Sequence, residues 1–175
     1  MKTYIILLRG INVSGKNKLP MVALRKLLET LGFENISTYI QSGNIALSAS
    51  MAKEEIATTI ADGIRNSFAY EVPVFVYSVE EWKDLIQRSP FRDKEEKQQY
   101  FTFLSQNITM SEMEGFAKND TFLIIEDVVY VNVIDGYGNS KLSTLFFENK
   151  LNVKATTRNF NTTIKLLELA TNINE

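Results

Sequence analysis

Ile36-Ser37-Thr38-Tyr39-Ile40-Gln41-Ser42-Gly43-Asn44-Ile45-Ala46-Leu47-Ser48 is the stretch on which the fold turns. Ile36, Thr38 and Ile40 alternate with Ser37, Tyr39 and Gln41, the period of a strand. Ser42-Gly43-Asn44 is a turn, and residues 45–48 return as a second strand. Strands joined this tightly run antiparallel. Before them, residues 4–8 read as a strand ending at Arg9-Gly10. Pro20 then suits the first turn of a helix, where its missing N–H costs nothing. Val22, Leu24, Leu27, Leu28 and Leu31 recur at helical spacing, and Gly32 supplies a left-handed stop. After the hairpin, Ile56, Ile60, Ile64 and Phe68 form the i, i+4 stripe of a long helix. Residues 72–77 close the series as a strand, with Pro73 near its start. Strand, helix, strand, strand, helix, strand is the order of the ferredoxin-like split unit.

Beyond this unit, Ser78-Val79-Glu80-Glu81 has the S-x-x-E form of a capping box. It opens a short helix carrying Trp82, Leu85 and Ile86, which ends before Pro90. Arg92-Asp93-Lys94-Glu95-Glu96-Lys97-Gln98 holds no apolar residue and reads as a boundary. Beyond it the same order of elements returns. Residues 100–104 are a strand, and Thr109-Met110-Ser111-Glu112 is a second capping box opening a short helix. Residues 121–125 and 128–134 are strands joined tightly at Glu126-Asp127. A helix follows around residues 143–150, a strand over 153–158, and a last helix carrying Ile164, Leu167 and Ala170. The expected class is therefore α+β, with duplicated ferredoxin-like (βαββαβ) units, antiparallel sheets and an extra helix after each unit. The expected organisation is a first unit over 1–89, a charged linker over 90–98 and a second unit over 99–175. The halves share element order and no residue-level similarity, so one mixed α+β sheet domain is the alternative.

The 175 residues contain no cysteine and no histidine. That excludes disulfide scaffolds, Cys/His zinc sites, thiolate nucleophiles and Ser-His-Asp triads. The apolar run at residues 5–8 is too short for a signal-peptide core or a membrane span, so a cytoplasmic protein with no membrane association is expected. A net charge of −2 and a pI near 5.4 argue against nucleic acid as a partner. An exposed sheet edge in either unit would allow a homodimer.

Gly10-Ile11-Asn12-Val13-Ser14-Gly15-Lys16-Asn17 follows a strand and fits G-x-x-x-x-G-K, with Asn where a phosphate loop requires Ser or Thr. Three points count against nucleoside-triphosphatase chemistry. Asn17 has no hydroxyl for magnesium. The next helix begins at Pro20 rather than at Gly15, so its N-terminus points elsewhere. Glu126-Asp127 sits in a tight hairpin, whereas that chemistry needs parallel strands. The segment is then a surface loop, or one that holds an anion without hydrolysing it.

Three further segments combine Asn, Gly and cations: Gln41-Ser42-Gly43-Asn44, the run from Asp135 to Lys141, and Thr156-Thr157-Arg158-Asn159-Phe160-Asn161. Turn chemistry accounts for such residues singly, and Asn161 suits a helix N-cap. Together with the first loop they suggest a binding protein whose loops from both halves converge on a polar, anion-accepting groove. Arg9, Lys16, Lys18, Lys141 and Arg158 would supply charge. Asn12, Asn44, Asn159 and Asn161 would supply amide hydrogen bonds, and Tyr137 an aromatic hydroxyl. The expected ligand is a small anion, with no cofactor and no metal. An enzyme acting on a phosphorylated or carboxylated small molecule is the alternative, with Asp135 or Glu126 as base, Lys16 or Lys141 as electrophile and Tyr137 as acid. A single-stranded nucleic-acid binder is a third reading, weakened by the absence of an aromatic pattern in the strands.

Leu7-Leu8-Arg9-Gly10-Ile11-Asn12-Val13, Gly15-Lys16-Asn17-Lys18-Leu19-Pro20-Met21 and Thr38-Tyr39-Ile40-Gln41-Ser42-Gly43-Asn44 resemble motifs of the bacterial domain of unknown function 1697 family. Asp135-Gly136-Tyr137-Gly138 with Ser140-Lys141-Leu142, and Thr157-Arg158-Asn159-Phe160-Asn161-Thr162, resemble its later motifs. Ser14 stands where that family carries Gly, which reduces backbone freedom there. The resemblance implies a cytosolic bacterial protein of duplicated ferredoxin-like units. It implies no activity.

Overall fold

The hairpin at the centre of the first half forms part of a four-stranded antiparallel sheet. A computed structural model of the chain describes residues 1–108 and 114–173. The first six elements are β1 (Lys2–Leu8), α1 (Met21–Thr30), β2 (Glu34–Tyr39), β3 (Asn44–Ala49), α2 (Lys53–Phe68) and β4 (Val74–Ser78). Their sheet order is β2-β3-β1-β4, which puts β1 and β3 in the centre. Each α-crossover skips a strand position and the pairs are antiparallel, as the split βαβ unit requires.

The core of this unit follows from the two helical stripes. Ile56, Ile60 and Ile64 of α2, with Leu24 and Leu28 of α1, are fully buried against Ile6, Leu8, Ile45 and Leu47. Each such side chain contributes about 1.5–3 kcal/mol by leaving water. Val22 departs from the expected stripe. It sits on the first turn of α1 and is 83% exposed. Ile40 also departs from its expected strand, because β2 ends at Tyr39 and Ile40 turns outward with φ +51°.

The predicted capping box is formed reciprocally at the start of α3 (Val79–Gln87). The Ser78 Oγ accepts from the Glu81 N–H at 3.1 Å, and a Glu81 carboxylate oxygen accepts from the Ser78 N–H at 2.8 Å. Burial pushes the Glu81 carboxyl up, but its contact with Lys53 and the hydrogen bond it accepts from the Ser78 N–H hold it below its ordinary pKa.

The second half contains β5 (Gln99–Leu104), β6 (Glu114–Ala117), β7 (Asp120–Ile125), β8 (Val128–Asn132), α4 (Thr144–Leu151), β9 (Ala155–Asn159) and α5 (Phe160–Ile173). Its sheet runs β6-β7-β8-β5-β9. Without β6, this is the strand order of the first sheet. The capping box expected at Thr109-Met110-Ser111-Glu112 lies outside the described residues. Phe122, Ile124, Val129, Val131 and Phe147 build the core on the α4 side. The tight β7–β8 turn is clamped by Arg88, which pairs with Glu126 and donates to the Tyr130 hydroxyl at 3.1 Å. That hydroxyl in turn donates to the Leu85 carbonyl at 2.6 Å. Burial pushes the Tyr130 hydroxyl up to about 12, although Arg88 opposes it.

The chain divides into two compact units, residues 1–83 with those from Lys165 onward, and residues 84–164. The divisions fall within α3 and α5 rather than in the charged stretch. Residues 90–98 instead carry turn hydrogen bonds and a short 3-10 turn (Glu96–Gln98). Among the described residues no helix is long and apolar enough to cross a membrane.

Candidate functional site

The near-miss phosphate loop is a miniature hairpin. The Lys16 N–H donates to the Val13 carbonyl at 2.9 Å, and the Asn12 N–H to the Asn17 carbonyl at 3.1 Å. Ser14 and Gly15 between them have φ +50° and +74°. Two central left-handed residues are the mark of a type I′ turn, whose twist suits two short antiparallel arms. Asn17, in the place of a magnesium-binding hydroxyl, donates its amide to the Gly10 carbonyl at 3.0 Å and closes the base of the finger. The following helix starts at Met21, and β1 has antiparallel neighbours on both sides. The geometry is not that of a phosphate loop. Because Ser14 bears a side chain in a left-handed conformation, Ser14→Gly is expected to raise unfolding free energy by about 0.5–1 kcal/mol, read by urea denaturation; a loss of stability would contradict the turn assignment.

Asn12 joins the finger to its surroundings. Its amide NH₂ donates to the Leu19 carbonyl at 2.9 Å and to the Gln41 carbonyl at 2.8 Å, while its Oδ1 accepts from the Leu19 N–H at 2.8 Å. One side chain thus connects the finger, the lead into α1 and the β2–β3 loop. That loop is fixed in turn by Asn44, whose amide donates to the Tyr39 carbonyl at 3.1 Å and the Ser42 hydroxyl at 2.9 Å. The Leu8 N–H donates to the Gly43 carbonyl at 2.8 Å. The Tyr70 hydroxyl reaches the Lys18 carbonyl at 3.1 Å. Asn12 and Asn44, read from sequence as ligand amides, hydrogen-bond to the protein's own groups.

The cations divide differently. Lys16 and Lys18 are exposed on the finger, and Arg9 is half-buried at its root. Arg25 and Lys26 stand exposed on the solvent side of α1, Arg25 donating to the Thr38 hydroxyl of β2 at 3.1 Å. Residues 1–28 hold six of the chain's 19 lysines and arginines and none of its 21 carboxylate residues, and residues 35–52 are uncharged. Glu29 lies in the last turn of α1, and Glu34 at the far end of β2. Glu71, beside Tyr70, faces Arg65 at 3.8 Å. The end of the first unit where β1 and β2 finish and α1 begins is therefore cationic within an acidic protein. It also exposes three aliphatic side chains: Val13 at 55%, Val22 at 83% and Ile40 at 52%. Arg25, Lys26 and these aliphatics were not among the expected site residues. The signal that finds the cations is the acid-free run of 28 residues.

In the second unit most of the expected site residues have structural partners. Arg158 is buried in β9 and donates to the Thr156 hydroxyl at 2.6 Å and the Thr157 carbonyl at 2.9 Å. Desolvation lowers its pKa to about 10, which leaves it protonated at neutral pH. Asn159 accepts from the Thr162 N–H at 2.9 Å and so is the cap of α5. Asn161, expected in that role, lies inside the helix and is exposed. Tyr137 stacks on Tyr100 with ring centroids 4.5 Å apart. The loop bearing it is ordered by the buried Asp120 carboxylate, which accepts from the Ile134 N–H at 2.8 Å and the Ser140 hydroxyl at 2.7 Å. Lys141 and Asp135 are exposed, and Glu126 is paired with Arg88. No group of three or more carboxylates among the described residues is placed to hold a metal ion.

The fold is similar to the solved structure of the conserved bacterial protein SP0830 from Streptococcus pneumoniae. The TM-score is 0.75 over 97% of this chain and 98% of that one, at 21% identity. No curated protein matches the sequence. Residues 1–131 match the family described as a protein of unknown function, DUF1697, a span that takes in the finger and the β2–β3 loop and stops short of the motifs at 135–142 and 157–162. The chain belongs to the DUF1697 family.

Proposed function

We propose that this protein is a binding protein whose cationic end of the first unit accepts an anionic ligand. The observation that carries the reading is the absence of any carboxylate from residues 1–28, combined with Lys16 and Lys18 held out on a hydrogen-bonded finger. A surface lysine usually has acidic neighbours that screen it. Lys16 and Lys18 on the finger have none within residues 1–28, and their potentials add to those of Arg25 and Lys26, which Glu29 one turn further along α1 offsets in part. The rigid finger lowers the ordering cost of binding, because its backbone is already fixed by Asn12 and Asn17. We place this activity in the cytoplasm, the compartment that the family resemblance of the sequence implies.

The test is retention on immobilised heparin, a generic polyanion, together with the thermal shift produced by pyrophosphate. The unmodified protein is expected to be retained at low salt and released as salt rises. Lys16→Glu/Lys18→Glu, which reverses two exposed charges without touching the hydrogen bonds of the finger, should weaken binding by about tenfold or more, at roughly 1 kcal/mol per exposed charge contact. Equal retention of the variant, or no retention of either protein at low salt, would overturn the reading.

A further inference from the structure

Resting on that anion-binding reading, we propose that the ligand's charge is carried on an acidic polypeptide segment that also bears aliphatic side chains. Each of the three exposed aliphatics lies close in sequence to the Asn12 network. Val13 follows Asn12 itself, Ile40 precedes its acceptor Gln41, and Val22 lies three residues beyond Leu19. Ile40 is held at φ +51°, a conformation that a β-branched residue adopts only when its surroundings impose it. The local structure thus presents this side chain to solvent at a conformational cost. Exposed aliphatic side chains on segments that carry cations, with no carboxylate in residues 1–28 or 35–52, are complementary to a chain in which acidic and aliphatic residues alternate.

Two other polyanions fit less well. Single-stranded nucleic acid uses aromatic platforms for its bases. The aromatic residues here, Tyr39 and Tyr70, are half-buried, and Tyr70 spends its hydroxyl on Lys18. An anionic membrane surface is met by Trp, Tyr or Phe at the interface, and the exposed apolar side chains here are Val, Val and Ile.

The experiment uses the full chain and two fluorescent synthetic peptides of equal length and charge, one alternating Glu and Leu, the other Glu and Ser. An oligothymidylate of equal charge and phosphatidylserine vesicles complete the set. The Glu–Leu peptide is expected to bind at least about tenfold more tightly than the Glu–Ser peptide, the surplus left when partial burial of three aliphatic side chains is set against the cost of ordering the peptide. Val13→Ser/Val22→Ser/Ile40→Asn should reduce the Glu–Leu affinity to that of Glu–Ser and leave the Glu–Ser affinity unchanged. The Asn at position 40 tolerates the left-handed backbone, so this variant keeps its fold. Equal affinity for the two peptides, or tighter binding of the oligothymidylate or the vesicles than of the Glu–Leu peptide, would overturn the inference while leaving anion binding intact. Failure to bind any of the four would overturn both.

Discussion

Gly43→Ala is expected to destabilise the first unit by about 2–5 kcal/mol. Two costs combine. Gly43 has φ +78°, where a side chain is strained by about 1–2 kcal/mol. A Cβ there would lie 2.5 Å from the Leu8 Cβ and 3.1 Å from the Ile11 Cδ1. Leu8 is fully buried in the central strand, and its N–H is hydrogen-bonded to the Gly43 carbonyl itself, so neither group can retreat without breaking the register of β1 and β3. Overpacking of this kind typically costs about 1–3 kcal/mol. Gly63→Ala is the internal control. Its Cβ would meet only the flexible end of Leu31 at 2.7 Å, inside a helix where Ala is favoured by about 1 kcal/mol over Gly. Urea unfolding curves should separate the two clearly. A Gly43→Ala loss below about 1 kcal/mol would mean that the β2–β3 loop is not packed against β1 as described.

Asn12→Ala is expected to cost about 2–4 kcal/mol and to loosen the finger. It removes three hydrogen bonds at once and leaves the Leu19 N–H, the Leu19 carbonyl and the Gln41 carbonyl without the partner they had. Ala must also adopt the φ of +53° that Asn tolerates better. Asn12→Asp should be at least as damaging, since it keeps the one acceptor, loses both donations and sets a carboxylate against two carbonyls. Faster amide exchange at Lys16 and Asn17 is the second readout, because their order depends on the base of the finger. A variant with native exchange at those amides would show that Asn12 is not what holds the finger.

Sequence alone carried the element order because that order rests on periodicity. The Ile56-Ile60-Ile64 stripe, the Ser78-Glu81 capping box and the hairpin of residues 36–48 all appear where their patterns place them. Ile40 falls outside its expected strand because alternation does not mark where a strand stops, and the turn begins at Ile40, two residues before its Ser-Gly-Asn signal. Strand β6 had no local signal at all. Glu-Gly-Phe-Ala has little strand propensity, and its conformation comes from pairing with β7. The cap of α5 was shifted by two because Asn159 and Asn161 are equally good candidates until the backbone decides. Among the site residues, exposed lysines were legible and amides were not. An Asn in a loop reads the same whether it faces a ligand or, as Asn12 and Asn44 do, the carbonyls of its own chain. Arg158 reads in sequence as a ligand-facing cation because a charge near the end of a strand is usually solvated, whereas its guanidinium folds back onto Thr156 and Thr157.

Amide chemical-shift mapping of the full chain, titrated with poly-L-glutamate at low salt, decides whether the cationic end of the first unit binds anions. Shifts confined to residues 9–19, 22–26 and 39–43, and abolished by Lys16→Glu/Lys18→Glu, are the predicted result. Shifts centred on other segments, or unchanged by the charge reversal, would contradict it.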